Sequence, residues 1–426
     1  MRSLRLTILL AWLAVSSLPG HSYSVLTHEQ VVDLAWKDQI QPMLLARFPQ
    51  ATPDDLKRAH AYAYGGSVMQ DMGYYPFGKK YFSDLVHYVR TGDFIAALIE
   101  DSSDINEYAF ALGALAHYSS DNMGHPTINQ VVAIEFPKLR AKYGDSVTYA
   151  DDHKSHIRTE FGFDMVQVAK NRYTSDRFHD FIGFEIAKPL LERAFQQTYD
   201  MQLSEVLGGN EDLAIGTFRR AVSTVVPAMT RVALLNKRAD LVPERQDHAQ
   251  KKFLYEVSRS NYEKEWGKGY RHPGFGSRVL AFVLRIFPKV GPASALDFKI
   301  PTAQTEDLYI KSVNKTMDNY DSLLRQVREG NLKFADTDCD TGRQTQAAEY
   351  PLADDAYSHL LLDLARHNFA RVTPELRGNM LAYYADPNAP FHDKRNKKHW
   401  EETQQAVQQL KTWQGDSVAS RIDAVN

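Results

Sequence analysis

A chain of 426 residues, 43% hydrophobic and 11% aromatic, is long enough to bury one large core or two ordinary ones. Its formal charge of -3 at pH 7 excludes a global basic field as the organising force, so any acidic partner must be met locally. With Cys339 as the only cysteine, an intrachain disulfide is excluded, and packing or metal must stabilise the fold.

The N-terminus reads as a secretory leader. Arg2 and Arg5 precede the apolar run "LTILLAWLAVSSL", and Pro19 and Gly20 break it. Gly20 and Ser22 fit the small-residue positions before a cut, which makes residues 1–22 a signal peptide and Tyr23 the first mature residue; cleavage after Gly20 competes. The run is too short to span a bilayer, and no later run reaches the roughly 20 apolar residues that a membrane helix needs. The expectation is an exported protein, periplasmic or secreted, with no obligate protein partner.

Helical signals follow. "THEQVVDLAWKDQIQPMLLARF" predicts a helix capped by Thr27. "TPDDLKRAHAYAYGG" predicts one capped by Thr52, with Pro53 first and the glycines at its end. Similar spacing runs through "DFIAALIEDSSDINEYAFALGALAHYSSD", "HKSHIRTEFGFDMVQVAKNRY", "FIGFEIAKPLLERAFQQTYD" and "DLAIGTFRRAVSTVVPAMTRVALLNK", and sustained alternation is hard to find. The reading is an all-α domain over about 23–245. A charged, glycine-bearing connection precedes a mostly helical C-terminal extension, 246–426, seen in "EDLYIKSVNKTMDNYDSLLRQVREG", "YPLADDAYSHLLLDLARHNFARV" and "KKHWEETQQAVQQLKTW".

The chemistry gathers early. "ALGALAHYSSDNMGHP", 111–126, sets His117, Asp121 and His125 four apart, about 40° from one another around a helix and so on one side of it. The apolar run before them places these ionisable groups near the core, where they need partners. His156 and Glu160 form another four-residue pair, either a zinc grip or a solvated helix-face pair. Asp71 in "GGSVMQDMGYY", His87 in "FSDLVHY" and His28 in "SVLTHEQ" complete the set. "YYPFGKKYF", 74–82, reads as a substrate rim through Tyr74, Tyr75 and Phe77, or as an ordinary loop. "FGSRVLAFVLRIFPKVGP", 275–292, reads as an interfacial helix in peripheral contact with a membrane or as a core helix, and "HDKRNKKHW", 392–400, as a solvated face.

The order His28, Asp71, His87, "HYSSDNMGH", His156 and Glu160 resembles the zinc-dependent phospholipase C family, related to bacterial phosphatidylcholine-preferring phospholipase C. The resemblance covers roughly residues 23–245 and implies an all-helical phospholipase C/nuclease-type domain that binds up to three Zn2+ ions. By position, one ion would take Asp71, His87, His117 and Asp121. A second would take His125, His156 and Glu160, and a third His28, Asp121 as a bridge, and the terminal group of Tyr23. Tyr23 stands five before His28, the spacing at which the related single-strand nucleases carry their terminal Trp. The short Asp121–His125 interval departs from the prototypes and is similar to the zinc domain of glycosylphosphatidylinositol-specific phospholipase D, which favours a lipid substrate.

What the resemblance implies is a phosphodiesterase that hydrolyses phospholipid by zinc-activated hydroxide, with Asp71 as general base. Two alternatives stay open: a single-strand nuclease or 3'-nucleotidase on the same scaffold, acting on nucleic acid, and a non-catalytic protein whose zinc is structural.

Overall fold

A computed structural model describes residues 25–169, 183–226 and 298–413. The proposed leader, Tyr23, most of the connecting region and the 275–292 tract lie outside the described residues. In chain order the helices are α1 (Val25–Ala35), α2 (Gln41–Arg47), α3 (Pro53–Met69), α4 (Lys80–Tyr88), α5 (Thr91–Glu100), α6 (Ile105–Glu135), α7 (Pro137–Tyr143) and α8 (Tyr149–Ala169). They continue as α9 (Lys188–Tyr199), α10 (Leu203–Leu207), α11 (Glu211–Arg220), α12 (Ala303–Arg328), α13 (Pro351–Arg366), α14 (Pro374–Tyr383) and α15 (Lys397–Thr412). Among the described residues the only strands are β1 (Thr337–Asp338) and β2 (Arg343–Gln344), an antiparallel pair, so the fold is all-α. No helix among the described residues is long and apolar enough to cross a membrane.

α6 is the axis of the molecule, packed most extensively against α3 on one side and α12 on the other. Its start is fixed locally: Asp104 Oδ1 accepts from the Asn106 and Glu107 amides at 2.8 and 2.9 Å, satisfying donors that no helical carbonyl reaches. The contact with α3 is set by two glycines. A Cβ on Gly113 would lie 2.0 Å from the Ala63 carbonyl oxygen, and one on Gly66 would lie 1.9 Å from that of Phe110. Only glycine permits backbones to meet this closely, and α3 therefore runs on through Gly65 and Gly66 to Met69 instead of ending at them as the sequence predicts. Its predicted start holds, with Thr52 and Asp55 in a reciprocal capping box and Pro53 first.

Thr27 is not a cap either. α1 already includes it, and its hydroxyl donates to Asp164 Oδ1 at 2.7 Å and meets the Tyr309 hydroxyl at 2.8 Å. Asp164 Oδ2 also accepts from the Leu26 amide at 3.2 Å. A carboxylate on α8 thus does what a local cap would have done.

A large apolar cluster runs through both portions of the chain, joining Leu44, Phe82, Phe110, Leu115 and Phe195 to Tyr320, Leu324, Leu360 and Leu410. Each such fully buried side chain stabilises the fold by about 1.5–3 kcal/mol, so α12 and the helices after it share one core with α1–α6. Tyr320 fixes the register of α12 by donating to the Leu112 carbonyl at 2.8 Å.

Glu135, in the last turn of α6, is buried. Its Oε1 accepts from Thr305 Oγ1 at 3.0 Å, while Oε2 has no hydrogen-bond partner among the described residues. Burial pushes its carboxyl from 4.5 up to about 7. A raised acid is protonated in both states below 4.5; between 4.5 and 7 only the folded state keeps the proton, so its contribution to stability is lost as pH rises through that window. Glu135→Gln is therefore expected to remove this slope and to gain up to about 3 kcal/mol over the parent at pH 8, with no gain at pH 4.5. Denaturant unfolding of both proteins at the two pH values checks it, and equal gains at both would refute the assignment.

Candidate metal centre

The side chains that the sequence singles out come from five elements. His28 sits on α1, Asp71 on a 3-10 turn (Gln70–Tyr74) after α3, and His87 in the last turn of α4. His117, Asp121 and His125 form a stripe on α6, and His156 and Glu160 lie on α8. All of these are buried.

Asp121 is the hub. Its Oδ2 lies 3.1 Å from His117 Nε2 and 3.4 Å from His87 Nε2, and its Oδ1 lies 3.5 Å from His28 Nε2. His87 Nε2 is also 3.4 Å from Asp71 Oδ1. Two overlapping groups result, His28–His117–Asp121 and Asp71–His87–His117, each with ligand atoms within 4.8 Å of one another. The glycine crossing explains why they meet. It lays the backbone just after Gly66 against the turn just after Gly113, so that His117 Nδ1 donates to the Ser67 carbonyl at 2.9 Å.

His125, His156 and Glu160 form a more open set. The rings of His125 and His156 are 6.3 Å apart edge to face, and His156 Nδ1 is 3.4 Å from Glu160 Oε1. Tyr23 lies outside the described residues.

Tautomers follow from partners that can only accept. His87 Nδ1 donates to the Ser83 carbonyl at 2.7 Å, and His156 Nε2 donates to the Val147 carbonyl at 2.8 Å. His125 Nδ1 faces the Cys339 carbonyl at 2.5 Å and Asp340 Oδ1 at 3.0 Å. Each neutral ring therefore turns a lone pair into the centre: Nε2 of His87, His117 and His125, and Nδ1 of His156. The facing Nε2 atoms of His87 and His117 are only 3.2 Å apart, and His125 Nε2 is buried without a hydrogen-bond partner among the described residues. Converging lone pairs and carboxylates, mostly imidazole with some acid, are the donor set that zinc takes. The residues fit the metal.

The electrostatics agree. Burial opposes charge on Asp121, yet the imidazoles of His117, His125 and His87 hold its carboxyl well below the ordinary range. Burial also opposes a proton on His87, but hydrogen bonding to Asp121 and Asp71 holds this imidazole well above its usual value. A divalent cation would displace that proton. Burial, with Asp121, Asp71, Asp340 and Asp164 nearby, pushes Glu160 far up, and burial with the charge of His125 brings His156 down to about 4. A buried crowd of carboxylates of this kind is relieved by positive charge at its centre.

Beside the centre lies a cleft of about 550 Å³ lined by Tyr74, Tyr75, Phe77, Lys80, Tyr149 and His153, among others. Tyr74, Tyr75 and Phe77, which the sequence offers as a rim or as an ordinary loop, line this cleft. Tyr74 stands 6.1 Å from the His87 ring and Tyr149 stands 6.0 Å from that of His156, so the cleft abuts both ligand sets. Phe77 is 59% exposed and holds φ at 64°, a left-handed backbone that a bulky residue seldom adopts.

Sequence reasoning missed Asp164, which ties α1 to α8, and Asp340, which lies far along the chain on the β1–β2 turn. Periodicity carries no signal for either, because the partners are 137 or more residues apart.

No curated protein and no solved structure matches the chain. The family model described as zinc dependent phospholipase C matches residues 27–209, the span that holds every described ligand candidate. Over residues 27–209 the chain is similar to the zinc-dependent phospholipase C family.

Proposed function

We propose that the protein is an exported, zinc-dependent phosphodiesterase of the phospholipase C type that hydrolyses phospholipid. The observation that carries the reading is the buried Asp121 carboxylate met by three imidazole Nε2 atoms at 3.1–3.5 Å, within the span of the family match. Asp71, His87, His117 and Asp121 would hold one ion, and His125, His156 and Glu160 a second. His28 and Asp121, joined by the terminal group of Tyr23 after leader cleavage, would hold a third.

When bound, zinc supplies a Lewis acid that makes water a nucleophile near neutral pH and offsets charge developing on a phosphoryl oxygen. The chain does the rest. Asp71, on the 3-10 turn whose Gly73 and Tyr74 line the cleft, accepts the proton of the attacking water as general base. The tyrosines of the cleft exclude bulk water and seat the substrate, their faces packing on its apolar parts and their hydroxyls on its polar ones. The burial of Asp121 and its imidazole neighbours keeps the electrostatics strong by excluding solvent. Export is supported by the leader-like residues 1–22.

Purified mature protein is expected to contain zinc by elemental analysis and to release a phosphorylated head group from phospholipid vesicles. Release of neither head group nor phosphatidic acid by metal-loaded protein would overturn the lipid reading, and digestion of single-stranded DNA in its place would assign the nuclease activity. N-terminal sequencing of exported protein should begin at Tyr23.

A further inference from the structure

The family match ends at residue 209, yet the tip of the β1–β2 turn reaches the metal centre from the C-terminal portion. The turn is docked at several points. Thr91 Oγ1 donates to the Thr337 carbonyl at 2.9 Å, the Cys339 amide donates to the His87 carbonyl at 3.1 Å, and Asn129 Nδ2 donates to the Asp340 carbonyl at 2.9 Å. Gly342 comes so close to α6 that a Cβ there would lie 2.2 Å from the Asn122 carbonyl oxygen. That carbonyl loses its helical donor because residue 126 is proline, which leaves the surface of α6 open to the turn at this point.

The Asp340 side chain is buried and its two oxygens are used differently. Oδ2 accepts from the Tyr88 hydroxyl at 2.8 Å and from the Tyr350 hydroxyl, while Oδ1 faces His125 Nδ1 at 3.0 Å. Two tyrosines thus hold the carboxylate still while it addresses one imidazole. The other atom facing His125 Nδ1, the Cys339 carbonyl oxygen, also only accepts. The proton therefore stays on Nδ1, and Nε2, buried without a hydrogen-bond partner among the described residues, carries the lone pair.

We propose that Asp340 is a positioning residue of the zinc centre: by accepting from His125 Nδ1–H it fixes the tautomer and ring orientation that present Nε2 to an ion. An ionised acceptor at this place also makes Nε2 a better donor to metal, which the carbonyl alone does less well. The centre of this chain is then assembled from residues 28 to 340, and the C-terminal portion supplies part of it. This rests on the zinc reading above.

The test compares full-chain parent, Asp340→Asn and Asp340→Glu, each loaded with zinc and titrated with a chelator to give ions per chain and their affinities. The asparagine variant is expected to keep its fold but to hold at least one ion about 10–100-fold more weakly, with the ions that do not involve His125 unchanged, and the glutamate variant to recover part of the loss. A cobalt-loaded sample of the asparagine variant should show an altered visible spectrum, which a merely structural residue would not cause. A folded asparagine variant that binds every ion as the parent does would overturn the proposal while leaving the zinc reading intact; a parent that binds no zinc would overturn both. Should the variant not fold, the nitrogen resonances of His125 in the zinc-loaded parent decide: a proton on Nδ1 supports the proposal and a proton on Nε2 refutes it.

Discussion

Asp121→Ala is expected to lose at least one zinc ion per chain and more than about 100-fold in phospholipid hydrolysis. Replacing a group that only supports a metal ligand costs about 10–100-fold, and Asp121 is placed at the centre, its two oxygens facing three imidazoles on three helices. Its removal leaves these nitrogens without the charge that draws a cation between them, and Asp71, 3.4 Å from His87 Nε2, belongs to only one of the two overlapping groups. Elemental analysis of the purified variant and a head-group release assay give the two readouts. A variant with parental zinc content and rate would show that the bridge is not where the geometry puts it.

The second large effect concerns the crossing of α3 and α6. Gly113→Ala adds one methyl group where it would meet the Ala63 carbonyl at 2.0 Å, a distance that real side chains do not tolerate. The clash is with backbone, so no rotamer change relieves it and the helices must part. A loss of about 3 kcal/mol or more is expected, at the upper end of what overpacking costs. Gly216→Ala is the control, because nothing lies within 4 Å of a Cβ there and residue 216 is inside α11. The same chemical change is then expected to stabilise by about 0.5–1 kcal/mol through helix propensity alone. Denaturant unfolding at fixed zinc concentration measures both. Should the two substitutions behave alike, the close crossing is wrong. Gly113→Ala should also weaken zinc binding, since parting the helices draws His117 away from the Ser67 carbonyl that orients it.

These two residues mark how far local sequence reaches. The stripe His117–Asp121–His125 is legible because helical period alone puts residues four apart on one side, and the capping of α3 is legible because Thr52, Pro53 and Asp55 act within one turn. Gly65 and Gly66 mislead for a related reason. A glycine pair is the ordinary mark of a helix end, and only the arrival of a second helix turns it into a contact surface. Thr27 misleads likewise, since a cap and a buried hydroxyl that meets Asp164 look the same in one dimension.

By itself the sequence determined the helical class, the polar stripe on α6 and the list of ligand candidates that the fold then buries. These depend on backbone dihedrals, side-chain period and residue type, all of which act over a few residues. Only the tertiary structure decided which carboxylate faces which imidazole, which ring nitrogen keeps its proton, and that a turn at Asp340 enters a centre built around His125. Those outcomes depend on closing loops of up to more than 200 residues, where shape complementarity and burial, not local preference, select the partner.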